Sequence, residues 1–228
     1  GHNMTDPLRM GWMAWEADSS GGYAHVAEKV FYHMSNDKRF HFINAYSGEW
    51  DALLCVATPA LWTLGRGLQP RLDIVFHTMF EATPLPPGWV DVLNCAGLIW
   101  TPSRWSYDLF REQGVTIPMF VSGYGVSPEY EYVERVIDKS PMRFIAWGDT
   151  LVSRKNILKV VRAFVDAGLP NAELEVKLHS FAGMNENTQF TDKKGNAFTN
   201  ITIHTGVWQR MRLVRWVQTA HCGSYGSG

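Results

Sequence analysis

Arg154 and Lys155 stand where an apolar run meets an amphipathic one. Phe144, Ile145, Ala146 and Trp147 read as a buried strand, and Gly148 opens a short loop. Ile157, Leu158, Val161, Phe164 and Val165 then fall on one face of a helix that Gly168 stops. Two cations beside the free N–H groups of a helix N-terminus make a place for phosphate oxygens. Two solvated surface charges would leave the same trace in the sequence.

The elements that must position such a pair alternate along nearly the whole chain. Residues 11–15 read as a strand, and the loop EADSSGG follows. Tyr23, Val26, Ala27, Val30, Phe31 and Met34 then recur at helical spacing. Strands are expected at 40–45, 52–57, 72–76, 98–101 and 119–121. A short helix carries Trp89, Val90, Leu93 and Ala96, and another spans 103–113 with Trp105, Leu109 and Phe110 inward. Residues 122–141 are rich in Gly, Pro, Ser and charge, as domain linkers are. Alternation then restarts, with strands at 143–147, 174–179 and 201–204 and a helix at 209–219. A further strand begins at 220–225. This pattern predicts mostly parallel sheets with helices on both faces.

Ligands of such sheets bind beyond the carboxyl ends of the strands. Those ends carry Gly21-Gly22, residues 77–83, Arg154-Lys155 and Gly206-Val207. His179 and His204 end adjacent strands and are candidates to line the same cleft. His25 and His33 lie two turns apart on the first helix with no third ligand in sight, so no metal site is expected. Glu16 and Asp18 fit capping or solvation of the first loop better than catalysis.

Composition narrows the classes. The chain is 46% hydrophobic and 19% charged, enough apolar material for a real core. Its net charge of −1 lacks the basic excess of a nucleic-acid binder. No apolar run approaches the roughly 20 residues of a membrane span. GHNM reads as a cloning remnant with Met4 as the native start, and no signal peptide is seen. Cys55, Cys95 and Cys222 lie far apart without CxxC spacing. Reduced thiols and a cytoplasmic location, with peripheral membrane association as an option, are therefore expected. SSGGYAHVA does not fit GxGxxG, which argues against a nicotinamide-dependent enzyme.

The block FEATPLPPGWVDVLNCAGLIWTPSRWSYDLFREQGVTIPMFVSGYGVSPE resembles the retaining glycosyltransferases of the GT-B fold, close to the nucleotide-sugar transferases of family 4. The resemblance covers nearly the whole chain. Gly125-Val126 with Pro128 is similar to the turn that closes the family's first domain, with Ser127 in place of the usual Asp. Arg154-Lys155 resembles the pair that holds the donor pyrophosphate, and Gly21-Gly22 the loop whose backbone closes over the donor phosphate. Gly206-Val207 resembles the turn near the nucleotide base.

The resemblance implies an α/β chain with two Rossmann-like domains facing a cleft: an acceptor-side domain at 4–125, a linker at 126–142, and a nucleotide-sugar domain at 143–228. It implies transfer of a hexose from a nucleotide diphosphate sugar to a hydroxyl acceptor with retention, without a metal or other cofactor. His77 would contact the transferring sugar, and Glu81 and Thr83 would bind the acceptor; a satisfied core histidine and a loop cap fit His77 and Glu81 equally well. The family's second domain continues through a glutamate motif where this sequence reads HCGSYGSG, so that domain is expected to be incomplete. The alternative is then a nucleotide- or sugar-binding module with little turnover. An exposed sheet edge is expected in the second domain, and a homodimer that covers it.

Overall fold

The computed structural model describes residues 6–14, 22–45, 49–62, 71–134, 141–148, 150, 155–179, 190, 194 and 197–224. The chain divides into two compact units, Gly1–Gly125 and Val126–Gly228. Both are α/β with parallel sheets, Rossmann-like in general kind. Among the described residues no helix is long and apolar enough to cross a membrane.

The first unit holds a six-stranded sheet, with strands β1 (Leu8–Ala14), β2 (Phe40–Asn44), β3 (Ala52–Val56), β4 (Arg71–His77), β5 (Ala96–Thr101) and β6 (Met119–Val121) in the order β2-β1-β3-β4-β5-β6. Every pairing is parallel. Helix α1 (Gly22–Ser35) packs Tyr23, Val26, Ala27, Val30 and Met34 on the face that carries Met10, Leu54 and Val56. The other face, with Leu53, Cys55, Ile74, Phe76 and Ile99, meets α3 (Trp89–Asn94) and α4 (Arg104–Glu112). A strand buried on both sides has no polar alternation, which is why β3 reads as ALLCV. The four-residue α2 (Pro59–Trp62) gives no sequence period.

β1 begins three residues before the expected strand, because Leu8 pairs with Phe40 and Arg9 is tied to Asp51 by an ion pair of 2.7 Å. The Trp50 indole N–H donates to the Ala45 carbonyl at 2.9 Å, and its ring fills the space above Gly11, where a Cβ would come within 2.8 Å of the ring. Gly11 is thus a site of close approach inside a strand.

α4 corrects one expectation. Trp105, expected to face inward, is 51% exposed. The buried stripe is Ser106, Leu109 and Phe110, and a residue one position before such a stripe points about 100° away from it. Ser103 caps this helix by accepting the Ser106 N–H at 3.1 Å.

The second unit holds β7 (Met142–Gly148), β8 (Ala172–Leu178), β9 (Ile201–His204) and β10 (Cys222–Ser224) in the order β10-β7-β8-β9, all parallel. Helix α5 (Ile157–Ala167) buries Ile157 and Val161 against Ala146, Leu174, Val176, Leu178 and Ile203. It ends at Gly168, whose φ of 56° suits a glycine C-cap. Helix α6 (Arg210–Thr219) lies on the opposite face, where Trp216, Leu213 and Val217 cover Ile145. Trp147, expected in the buried run, is 36% exposed and meets Trp216 edge-on. Residues 126–134 belong to this unit and form neither helix nor strand. Arg210 of α6 bonds Ser127 and approaches Glu129 at 3.3 Å.

Candidate functional site

In the first unit the candidate residues gather at the carboxyl end of β4. His77 closes that strand and is fully buried. A carbonyl can only accept, so the His77 Nδ1–H donates to the Trp100 carbonyl at 3.0 Å. That leaves a lone pair on Nε2, which takes the Tyr124 hydroxyl at 2.9 Å. The imidazole also lies 4.1 Å from the Trp100 ring. Burial holds His77 neutral, with its pKa pushed down to about 4.

The loop after β4 is tied to α1. The Tyr23 hydroxyl donates to the Met79 carbonyl at 2.9 Å and accepts the Met79 N–H at 3.0 Å. Burial raises the Tyr23 pKa, with the Glu81 charge adding to it. Gly22 opens α1 one residue before Tyr23, so the glycine and the 77–83 loop reach the same end of the sheet. Glu81 and Thr83 are exposed on that loop. Gly21 lies outside the described residues.

The Tyr124 bond gives a first expectation. Tyr124→Phe removes the donor to a buried acceptor, and unsatisfied buried groups cost about 1–3 kcal/mol. Urea unfolding at pH 7 should show a loss of that size. A variant as stable as the parent would show that the imidazole finds another donor.

In the second unit the strand order reverses at β7: β8 and β9 lie on one side of it and β10 on the other. The crevice beyond such a switch point is where open α/β sheets place ligands. Lys155 sits there. A Cβ on Gly148 would come within 3.1 Å of the Lys155 Cβ and 2.8 Å of Ile157, so the glycine lets the helix entry fold back over the strand end. Asn156 enters α5 in the left-handed region, φ 53°. The His179 backbone N–H donates to the Gly148 carbonyl at 3.1 Å. The structure therefore brings Lys155 and His179 to one edge. Arg154 lies outside the described residues.

Gly206 and Val207 follow β9 at the same edge. Gly206 has φ 78°, and Val207 is 80% exposed. The turn is held by Lys177, whose ammonium donates to the Gly206 carbonyl and, at 2.6 Å, to the Leu178 carbonyl. Lys177 is only 8% exposed, and burial followed by the nearby Arg212 charge lowers its pKa. His204 points elsewhere: it donates to Glu175 Oε2 at 2.9 Å, an oxygen that also accepts the Trp216 indole N–H at 2.7 Å. Arg143 approaches the other Glu175 oxygen at 3.3 Å and Glu173 at 2.6 Å. His204 thus belongs to the polar layer between the sheet and α6.

Sequence reasoning missed the polar roles of Tyr23, which reads only as part of the apolar face of α1, and of Tyr124, which carries no pattern; it also missed Lys177, which does carry one. Glu173, Glu175 and Lys177 alternate along AELEVKL, an unusual charged face for a strand covered on both sides. Among the described residues no group of three or more His, Cys, Asp and Glu is placed to hold a metal. No protein-family model matches the chain, and no curated protein matches its sequence.

Proposed function

We propose that the chain is a retaining hexosyltransferase of the GT-B kind, similar to family 4, which uses a nucleotide diphosphate sugar and a hydroxyl acceptor. The observation that carries this reading is the place of Lys155. It stands at the switch point of a parallel sheet, between Gly148 and the start of α5, with His179 and the Gly206-Val207 turn at the same edge. A leaving nucleoside diphosphate gains negative charge as the sugar–oxygen bond breaks. Cations and helix N-terminal amides fixed at that point act most strongly in the transition state. Arg154 and Lys155 supply the charge.

His77 is neutral, and its Nε2 is held by the Tyr124 hydroxyl, so in this reading it meets the sugar only where a sugar hydroxyl takes that donor's place. Glu81 and Thr83 are exposed where acceptor hydroxyls can reach them. The reading calls for no metal, no transmembrane anchor and no nucleic acid. A homodimer would cover an edge of the β10-β7-β8-β9 sheet.

The test is calorimetric titration with UDP, GDP and ADP, followed by nucleotide release from the matching sugar conjugates. Arg154→Ala and Lys155→Ala should each weaken binding about tenfold to a hundredfold, because a hydrogen bond to a charged group contributes about 1.5–3 kcal/mol. Unchanged affinity in both variants would remove the phosphate assignment. Binding with no release of nucleoside diphosphate on adding any acceptor would leave a binding module.

A further inference from the structure

We infer that the carboxyl end of β8 and β9 holds an oxyanion, a phosphate or a carboxylate, between Lys177, Arg212 and the first turn of α6. This inference does not depend on the transferase reading. Two cations share one indole: the Arg212 guanidinium lies 4.0 Å from the Trp208 ring centroid and the Lys177 ammonium 5.4 Å from it. Like charges so placed repel each other unless an anion joins them.

No anion among the described residues does so. Among the described residues neither Lys177 nor Arg212 forms an ion pair with a carboxylate. Glu175, on the same face of β8, is taken by Arg143, His204 and Trp216. Glu129 is taken by Arg210. Lys177 has three N–H donors, and among the described residues two find partners, the carbonyls of Leu178 and Gly206. An ammonium so deeply buried with a free donor is a strong demand for an acceptor.

The start of α6 adds to that demand. Its first turn contains no acidic residue, and Gln209 at the N-cap makes no side-chain capping bond. The positive end of the helix dipole therefore adds to the Arg212 charge, and the carboxylate near it, Glu129, is engaged by Arg210. An oxyanion has enough acceptor oxygens for the guanidinium, the third Lys177 N–H and the free amides of the first turn at once. Arg212 and Val207 are exposed, so the site opens to solvent.

The experiment follows thermal unfolding against inorganic phosphate at constant ionic strength. Parent, Arg212→Gln, Lys177→Met, Arg215→Gln and Lys155→Gln are compared. Phosphate stabilises most proteins by exclusion from their surface, so the difference between variants carries the result. The apparent phosphate affinity should fall about ten- to a hundredfold in Arg212→Gln. It should stay at the parent value in Arg215→Gln, another exposed α6 arginine. Lys177→Met should lose the response too; should it fail to fold, Arg212→Gln alone decides. A parallel series with acetate separates the sources: protection by both anions marks a carboxylate-tolerant site, and protection by phosphate alone a phosphoryl site. Equal responses in parent and Arg212→Gln, an adventitious ion only, would overturn the inference. So would a response lost in Lys155→Gln and kept in Arg212→Gln, which would place the phosphate at the end of β7.

Discussion

Gly97→Val is expected to destabilise the first unit by about 3 kcal/mol or more, the upper range for forcing atoms into a packed site. β4 and β5 shift register between Arg71 and Val75: Arg71 pairs with Ala96, yet Val75 pairs with Leu98. Residues 72–74 therefore bulge opposite the single residue Gly97. A Cβ on Gly97 would overlap the Leu72 carbonyl oxygen and come within 2.6 Å of its carbon and 2.8 Å of its Cα. These are backbone atoms and cannot rotate aside. Either the β4–β5 pairing opens or the bulge is lost.

The bulge also aims the site. After it the register places His77 opposite Trp100, whose carbonyl receives the imidazole N–H. A slipped register would send His77 to the wrong face. Gly125→Val is the control, since nothing lies within 4 Å of a Cβ there and its φ is not positive. That change should stay within about 0.5 kcal/mol of the parent. Equal urea midpoints for Gly97→Val and the parent would mean that the bulge relaxes without cost.

Gly97 marks the boundary of what the sequence makes legible. Strand and helix alternation is a local, periodic signal, so α1, β3, α4, α5 and β8 stand where the apolar spacing puts them. A bulge is a relation between two strands and leaves no period in either. Gly97 reads only as a glycine in an apolar run, as does Gly11 beneath Trp50. The same contrast holds at the candidate site. Lys155 and Gly206 are legible because they punctuate element ends. Tyr23, Tyr124 and Trp208 are not, because each works through a partner distant in sequence: Met79, His77 and Lys177 respectively. His204 shows the converse, since its place at a strand end suggested the cleft while Glu175, 29 residues away, decides its direction.

His77 carries the second large effect, and it is a pH dependence. In the unfolded chain a histidine takes up a proton near pH 6.5, whereas in the folded chain burial delays this to about pH 4. Above pH 6.5 both states hold the ring neutral, and His77 contributes no slope. Between pH 6.5 and 4 the unfolded state binds more protons than the folded one, so stability falls as the pH falls. The loss attributable to this one group should reach about 3 kcal/mol by pH 4. The chain has eight histidines and many carboxylates, so the parent profile alone does not isolate it. The difference from His77→Gln does. That variant should be less stable at pH 7, because the Trp100 carbonyl and the Tyr124 hydroxyl lose a shaped partner. Its urea-unfolding stability should then decline less steeply, so that the two curves converge on acidification. Parallel curves would show that the ring is protonated as readily in the fold as outside it. Convergence would also bound the chemistry: near neutral pH His77 offers a fixed lone pair and no transferable proton on Nε2. Any step it assists must then be one that needs a neutral hydrogen-bond acceptor once the Tyr124 hydroxyl yields its place.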